Sequence, residues 1–224
     1  MNERRSLLAY LALAGWCLVA FVAGRLLPAG RLPIHLFDGE ALAVVCLGFF
    51  AVPYQPLAGL PALLDQQVGW RQRVAAPLAA GLLFALANLA ALRYLLPWPP
   101  VRLPVLLQPF PYSLFYFGAD AIYVEVIYRL LPFTILLSLT GHRQLKEGRT
   151  PLAFWVVALL CALAAPYPLV VKTPSALVVT LYTLHFLFNL VQALFYKNAG
   201  LLASLSMRLG HYLLWYVLLG LWLQ

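Results

Sequence analysis

Apolar runs of about twenty residues, each closed by a short basic or proline-bearing cap, recur along this chain and constrain its fold more than any other feature. About 20 residues of helix cross a hydrocarbon core about 30 Å thick. Lipid offers no partner for backbone N–H and C=O groups, so a spanning chain is either helical or a closed barrel. Long uninterrupted runs, rather than alternating segments of about ten residues, select helices. Charge agrees: only 10% of the 224 residues are charged, against about 25% in soluble domains, too few to coat a core of this size in water. The expectation is an all-α, polytopic transmembrane helical bundle, a single integral membrane domain over residues 1–224 with about seven spans.

The first span is expected from about Ser6 to Leu27, after Arg4 and Arg5, and it is too long for the apolar region of a cleaved signal. A second run from Ala41 to Leu64 is interrupted by Pro53 and Pro56, which implies a kink or a short re-entrant piece. The third covers Val74 to Leu96. Proline-rich residues 97–111 cannot form a clean helix and are expected at the interface, with Trp98 and Phe110 at headgroup level. Four more spans follow: Tyr112 to Leu139, Pro151 to Val171, Pro174 to Tyr196, and Leu201 to Leu223.

This arrangement sorts the basic residues. Arg4, Arg5, Arg71, Arg73, Arg143, Lys146, Arg149 and Lys197 fall on one side, and Arg25, Arg31, Arg93, Arg102 and Lys172 on the other. Eight against five points to a cytoplasmic N-terminus, in what is expected to be a bacterial cytoplasmic (inner) membrane. The net charge of +8 resides in these caps and forms no continuous patch, so nucleic acid is not an expected partner; the lipid bilayer is. Cys17, Cys46 and Cys161 are isolated in apolar stretches and read as small hydrophobes.

Ionisable residues within membrane spans are functional candidates, because a charge at the bilayer centre costs about 2.5–3.5 kcal/mol on insertion scales. Glu125 and Arg129 are four apart in the fourth span and can pair along one helical face, with Asp120 a turn earlier. Tyr182, His185, Asn189, Gln192 and Tyr196 form a stripe on the sixth span that should face the bundle interior. Ser204, Arg208, His211 and Trp215 form another on the seventh, where Arg208 can pair with Glu125 or Asp120. Each group has a structural reading, as an interhelical polar contact, and a chemical one, in which a carboxylate takes a proton from water while donors hold an oxyanion. Phosphate-loop, zincin and serine-elbow motifs are missing from the sequence. No cofactor is expected, although two histidines and a glutamate leave zinc open.

The stretch Tyr123-Val124-Glu125-Val126-Ile127-Tyr128-Arg129-Leu130-Leu131 resembles the first motif, E-E-x-x-x-R, of the CPBP family of CAAX prenyl proteases and bacteriocin-processing enzymes. The resemblance runs from about Tyr116 to Gly220. It implies a CPBP-like core over residues 112–224, with N-terminal spans and an interfacial segment over 1–111. It further implies an intramembrane endopeptidase acting on a membrane-associated peptide or protein. Glu125 and Arg129 match the second Glu and the Arg, whereas Val124 stands where the family carries its water-activating Glu. Cys161-Ala162-Leu163-Ala164-Ala165 occupies the second motif's place, with Ala165 instead of His. His185-Phe186-Leu187-Phe188-Asn189 fits H-x-x-x-N literally, and His211 fits the family's order better but has Trp215 in place of Asn.

Two readings follow from the resemblance. In the first, Glu125 activates water, Arg129 orients it, and His185 with Asn189, or His211, holds the oxyanion. In the second, the bundle has kept its architecture as a non-catalytic scaffold or partner-binding protein. Moving a general base by one helical residue rotates it by about 100°, which points to weak or absent turnover. Asp120 as a replacement base, and a small-solute transporter, are further alternatives.

Overall fold

The computed structural model describes residues 2–26, 36–95, 108–140, 142–165 and 176–223, and these contain helices and turns but no strand. The helices are α1 (Asn2–Leu26), α2 (Gly39–Ala51), α3 (Ala76–Leu95), α4 (Tyr112–Glu125), α5 (Leu131–Thr140), α6 (His142–Lys146), α7 (Leu152–Ala164), α8 (Ala176–Ala199), α9 (Leu201–Tyr212) and α10 (Leu219–Leu223). Four helical stretches, Arg4–Leu26, Arg71–Leu95, Tyr112–Thr140 and Ala176–Ala199, are long and apolar enough to cross a membrane, which marks the chain as a membrane protein. Two shorter apolar helices cover Gly39–Tyr54 and Leu152–Ala164. Residues 201–223 form one more unbroken helical run, more polar than the other long helices because it carries Arg208 and His211.

Local chemistry sets the ends of these elements. Asp38 caps α2 by accepting from Ala41 N at 2.7 Å, with Glu40 in the first turn. Pro53 ends α2 in a tight 3-10 turn over Val52–Tyr54, so the apolar run expected to reach Leu64 leaves the helix at Ala51 and continues as turns. Gly200, at φ +80°, separates α8 from α9 and packs beside the Pro61 carbonyl. Most of the segment expected at the interface, Trp98 included, lies outside the described residues; Phe110 is exposed. Residues 166–175, which end the expected fifth span and begin the sixth, also lie outside them.

α4 and α5 form one rod with a wide π turn, Val126–Leu130, at its middle. Pro132 has no N–H to offer the carbonyl four residues back, Tyr128 O, and Arg129 Nη1 donates to that carbonyl instead at 2.8 Å.

Contacts tie the elements together at two ends. At one, Leu64 N donates to Ser6 Oγ, Arg73 reaches Asp65 O, Lys197 Nζ donates to Thr150 Oγ1, and Gly200 lies against Pro61. At the other, Phe37 N donates to the Tyr112 hydroxyl, which also packs on Gly24. Between them runs a core of apolar side chains including Tyr10, Phe133, Phe154 and Leu137, all fully buried.

α3 and α9 pack most closely, through glycine. A Cβ on Gly81 would collide with the Met207 carbonyl, and one on Gly210 would lie 2.6 Å from the Leu78 carbonyl. Leu78 and Gly81, like Met207 and Gly210, are three residues apart, so each helix presents one glycine to a carbonyl of the other. This close approach is how membrane helices gain packing without a hydrophobic drive between them.

Candidate functional site

The buried polar residues converge where the α4–α5 rod meets α8 and α9. Glu125 ends α4 and Arg129 lies in the π turn; Asn189 and Gln192 lie on α8; Ser204 and Arg208 lie on α9. Glu125 is 1% exposed, Arg129 and Gln192 0%, Asn189 2% and Arg208 5%. At such burial every polar atom left unpaired costs about 1–3 kcal/mol, so the hydrogen-bond pattern decides what the cluster is.

Glu125 Oε1 accepts from Arg208 Nε at 2.7 Å and from Gln192 Nε2 at 2.6 Å. Gln192 joins all parts of the cluster. Its Nε2 also donates to Ser204 O at 2.8 Å, and its Oε1 accepts from Arg208 Nη2 at 2.7 Å and Arg129 Nη2 at 3.3 Å. Arg129 Nη2 further donates to Asn189 Oδ1 at 2.8 Å and Asn189 O at 2.9 Å, and Arg208 Nη2 reaches the same Oδ1 at 3.2 Å. The Arg208 guanidinium lies 5.4 Å from the Phe188 ring centroid and 5.8 Å from that of Tyr212, within cation–π range. Asp120, half-buried one turn before Glu125, has Tyr212 and Arg208 as its electrostatic neighbours. Two guanidiniums and one carboxylate, that of Glu125, are thus joined by hydrogen bonds through Gln192.

The expected pairing of Glu125 with Arg129 along one helix is not what forms. The ion pair joins Glu125 to Arg208, and Arg129 turns across to α8. The π turn after Glu125 accounts for this: it widens the helix where the two side chains would have to share a face, and it directs Arg129 to the Tyr128 carbonyl and to Asn189.

The histidines form a neighbouring layer. His185 and His211 pack edge to face with ring centroids 5.6 Å apart, and His211 also packs on Phe188 at 5.0 Å. His185 Nδ1 is 2.9 Å from Leu181 O, one turn back on its own helix. His211 Nε2 is 2.8 Å from Asn88 Nδ2 on α3. Asn189 Nδ2 donates to His185 O, linking the two layers by backbone. Among the described residues no hydrogen bond joins either imidazole to Glu125, and no three His, Cys, Asp or Glu side chains group as metal ligands.

The α9 stripe faces inward, with Ser204, Arg208, His211 and Trp215 all buried; on α8 Asn189, Gln192 and Tyr196 are buried, whereas Tyr182 and His185 are only half-buried. Sequence reasoning did not single out Asn88, nor Gln55, which donates to the Tyr196 hydroxyl at 3.0 Å. Each is a lone amide in or beside an apolar run, and intramembrane polarity is the signal that marks both.

Chemically the cluster holds a carboxylate as an acceptor. One oxygen of Glu125 is engaged by two donors, and the other, Oε2, has no hydrogen-bond partner among the described residues and is enclosed by protein. Neither a groove of about 370 Å³ between α2 and α5 nor a second of about 190 Å³ lined in part by Leu78, Phe117, Tyr212 and Val217 is lined by Glu125, His185 or His211. These features define a membrane protein, helical throughout its described residues, with a buried charge cluster cross-linked between α4, α8 and α9. No protein-family model, no curated protein and no solved structure matches the chain.

Proposed function

We propose that this protein is a seven-pass membrane bundle of CPBP-like architecture that has lost peptidase turnover and serves as a non-catalytic scaffold or partner-binding protein. One observation carries the reading. Glu125, the acid its motif would use, is bound on Oε1 by Arg208 and Gln192 and is only 1% exposed among the described residues. Ala165, at the end of α7, presents a methyl where the motif calls for an imidazole, and Val124 an isopropyl where it calls for the water-activating Glu. A buried acid paired in this way contributes specificity to helix packing rather than a base to chemistry.

The seven passes are supported by the alternation of contacts between the two ends. Ser6, residues 61–65, Arg73, Thr150 and Lys197 gather at one, and Gly24, Phe37 and Tyr112 at the other. The basic excess of the first end favours placing it, and the N-terminus, in the cytoplasm.

The endopeptidase reading keeps one observation in its favour, the approach of His185 to His211 on the turn next to the cluster. Activity separates the two. Purified protein in proteoliposomes, incubated with prenylated and unmodified peptide substrates, is expected to cleave at the rate of the Glu125→Ala variant. Cleavage by the wild type that Glu125→Ala or His211→Ala abolishes overturns the non-catalytic reading.

A further inference from the structure

The groove between α2 and α5 has dimensions and surroundings that identify an occupant. On α2 and its 3-10 turn it is walled by Leu47, Phe50 and Tyr54, and on α5 by Ile135, Ser138 and Leu139. Five of these six are more than half exposed, so the walls face outward from the bundle. Along α5 the lining runs from Leu131 to Leu139, about 12 Å at 1.5 Å per residue. One leaflet of a hydrocarbon core about 30 Å thick is about 15 Å deep, so the groove spans most of a single leaflet. Its volume of about 370 Å³ over that length gives a mean cross-section of about 30 Å². The groove is open to the outside of the bundle along this length, and a single hydrocarbon chain can lie in it.

The last α5 residue lining the groove is Leu139, and α6 begins three residues later. Leu145 packs against the core and holds this short helix to the bundle, and Arg143 and Lys146 project from it into solvent. Neither is ion-paired among the described residues, whereas Arg149 is paired with Glu147. Two exposed cations on the helix that follows the groove's α5 wall are complementary to an anionic headgroup.

We infer that the α2–α5 groove binds one acyl chain of an anionic phospholipid, whose headgroup is held by Arg143 and Lys146. The inference rests on the membrane location of the chain and is independent of whether the protein cleaves peptides.

Full-length protein is reconstituted in phosphatidylcholine vesicles containing phosphatidylglycerol with a photoactivatable group midway along one acyl chain, and the labelled peptides are mapped by mass spectrometry. Labelling of residues 47–54 and 131–139 is expected to exceed that of the lipid-facing Leu159 and Leu160 of α7. It is expected to fall at least about fivefold when the same chain is carried by phosphatidylcholine, and likewise in the doubly substituted Arg143→Gln, Lys146→Gln protein. Both substituted residues are exposed, so the fold is retained, and Ser138→Leu provides a second variant that fills the slot. Labelling no greater than on α7 overturns the inference. So does labelling indifferent to headgroup and to the double substitution, or an adduct in which the groove is occupied by a second copy of the protein.

Discussion

Arg208 Nε and Glu125 Oε1 meet at 2.7 Å across 83 residues of chain, and the pair is all but closed to solvent. The contact locks α9 to the end of α4 where the rod opens into its π turn. Because Gln192 and Asn189 receive both guanidiniums, α8 is bound into the same lock.

Removing one member of such a pair leaves a buried charge without compensation, which costs about 3–5 kcal/mol. Arg208→Met and Glu125→Leu are each expected to destabilise the protein by that order, measured by denaturation in mixed micelles. The double substitution is expected to cost clearly less than the sum of the two, because it removes the stranded charge as well as the bond. Additive effects would mean that the two side chains do not act as a pair.

Gly81 and Gly210 allow α3 and α9 to touch backbone to backbone. Alanine at position 81 forces its methyl into the Met207 carbonyl, an atom that cannot move aside as a flexible side chain would. Gly81→Ala is expected to cost about 1–3 kcal/mol, the range for overpacking. Gly15 serves as the control, since a Cβ there meets nothing within 4 Å, and Gly15→Ala is expected to leave the melting transition in place.

Asn88 Nδ2 and His211 Nε2 bond each other between α3 and α9, while Asn88 Oδ1 and His211 Nδ1 have no partner among the described residues. Asn88→Leu leaves a buried imidazole nitrogen without its partner and is expected to cost about 1–3 kcal/mol, whereas replacing both residues with apolar ones of similar shape is expected to recover much of the loss. A thermal-shift cycle over the two single substitutions and the double one measures the coupling. A coupling of zero would reduce the contact to coincidence.

The helices were legible because the bilayer demands them: runs such as Ala76–Leu95 and Ala176–Ala199 are apolar for the length a span requires. The inward stripes on α8 and α9 were legible for the same reason, as polar residues at helical spacing have one face to share. The partner of Glu125 was legible only as one of several: Arg208 was open to Glu125 or Asp120, and Arg129 competed for the same acid. Sequence spacing sees i to i+4, where Arg129 stands, but it does not see the π turn that carries Arg129 away. The groove beside α2 was hidden, because it depends on Pro53 ending one helix next to a rod formed much later in the chain.

Topology can be tested without any assumption about activity. Gln67 lies in the turns joined through Asp65 to Arg73, and Gln144 lies on α6 after α5; both are exposed. On the seven-pass proposal α3 runs away from the first of these positions and the α4–α5 rod returns to the second, so both are expected on the same face of the membrane. Leu36, exposed beside the Phe37–Tyr112 contact, is expected on the opposite face under the same proposal. In a background with Cys46→Ala, single cysteines at positions 67 and 144 are expected to react with a membrane-impermeant maleimide from one side of oriented vesicles, and a cysteine at position 36 from the other. Labelling of 67 and 144 from opposite sides would mean that α3 and the α4–α5 rod do not make two full passes. The seven-pass arrangement would fall with that result, and with it the assignment of Arg143 and Lys146 to the same leaflet as the basic N-terminal end.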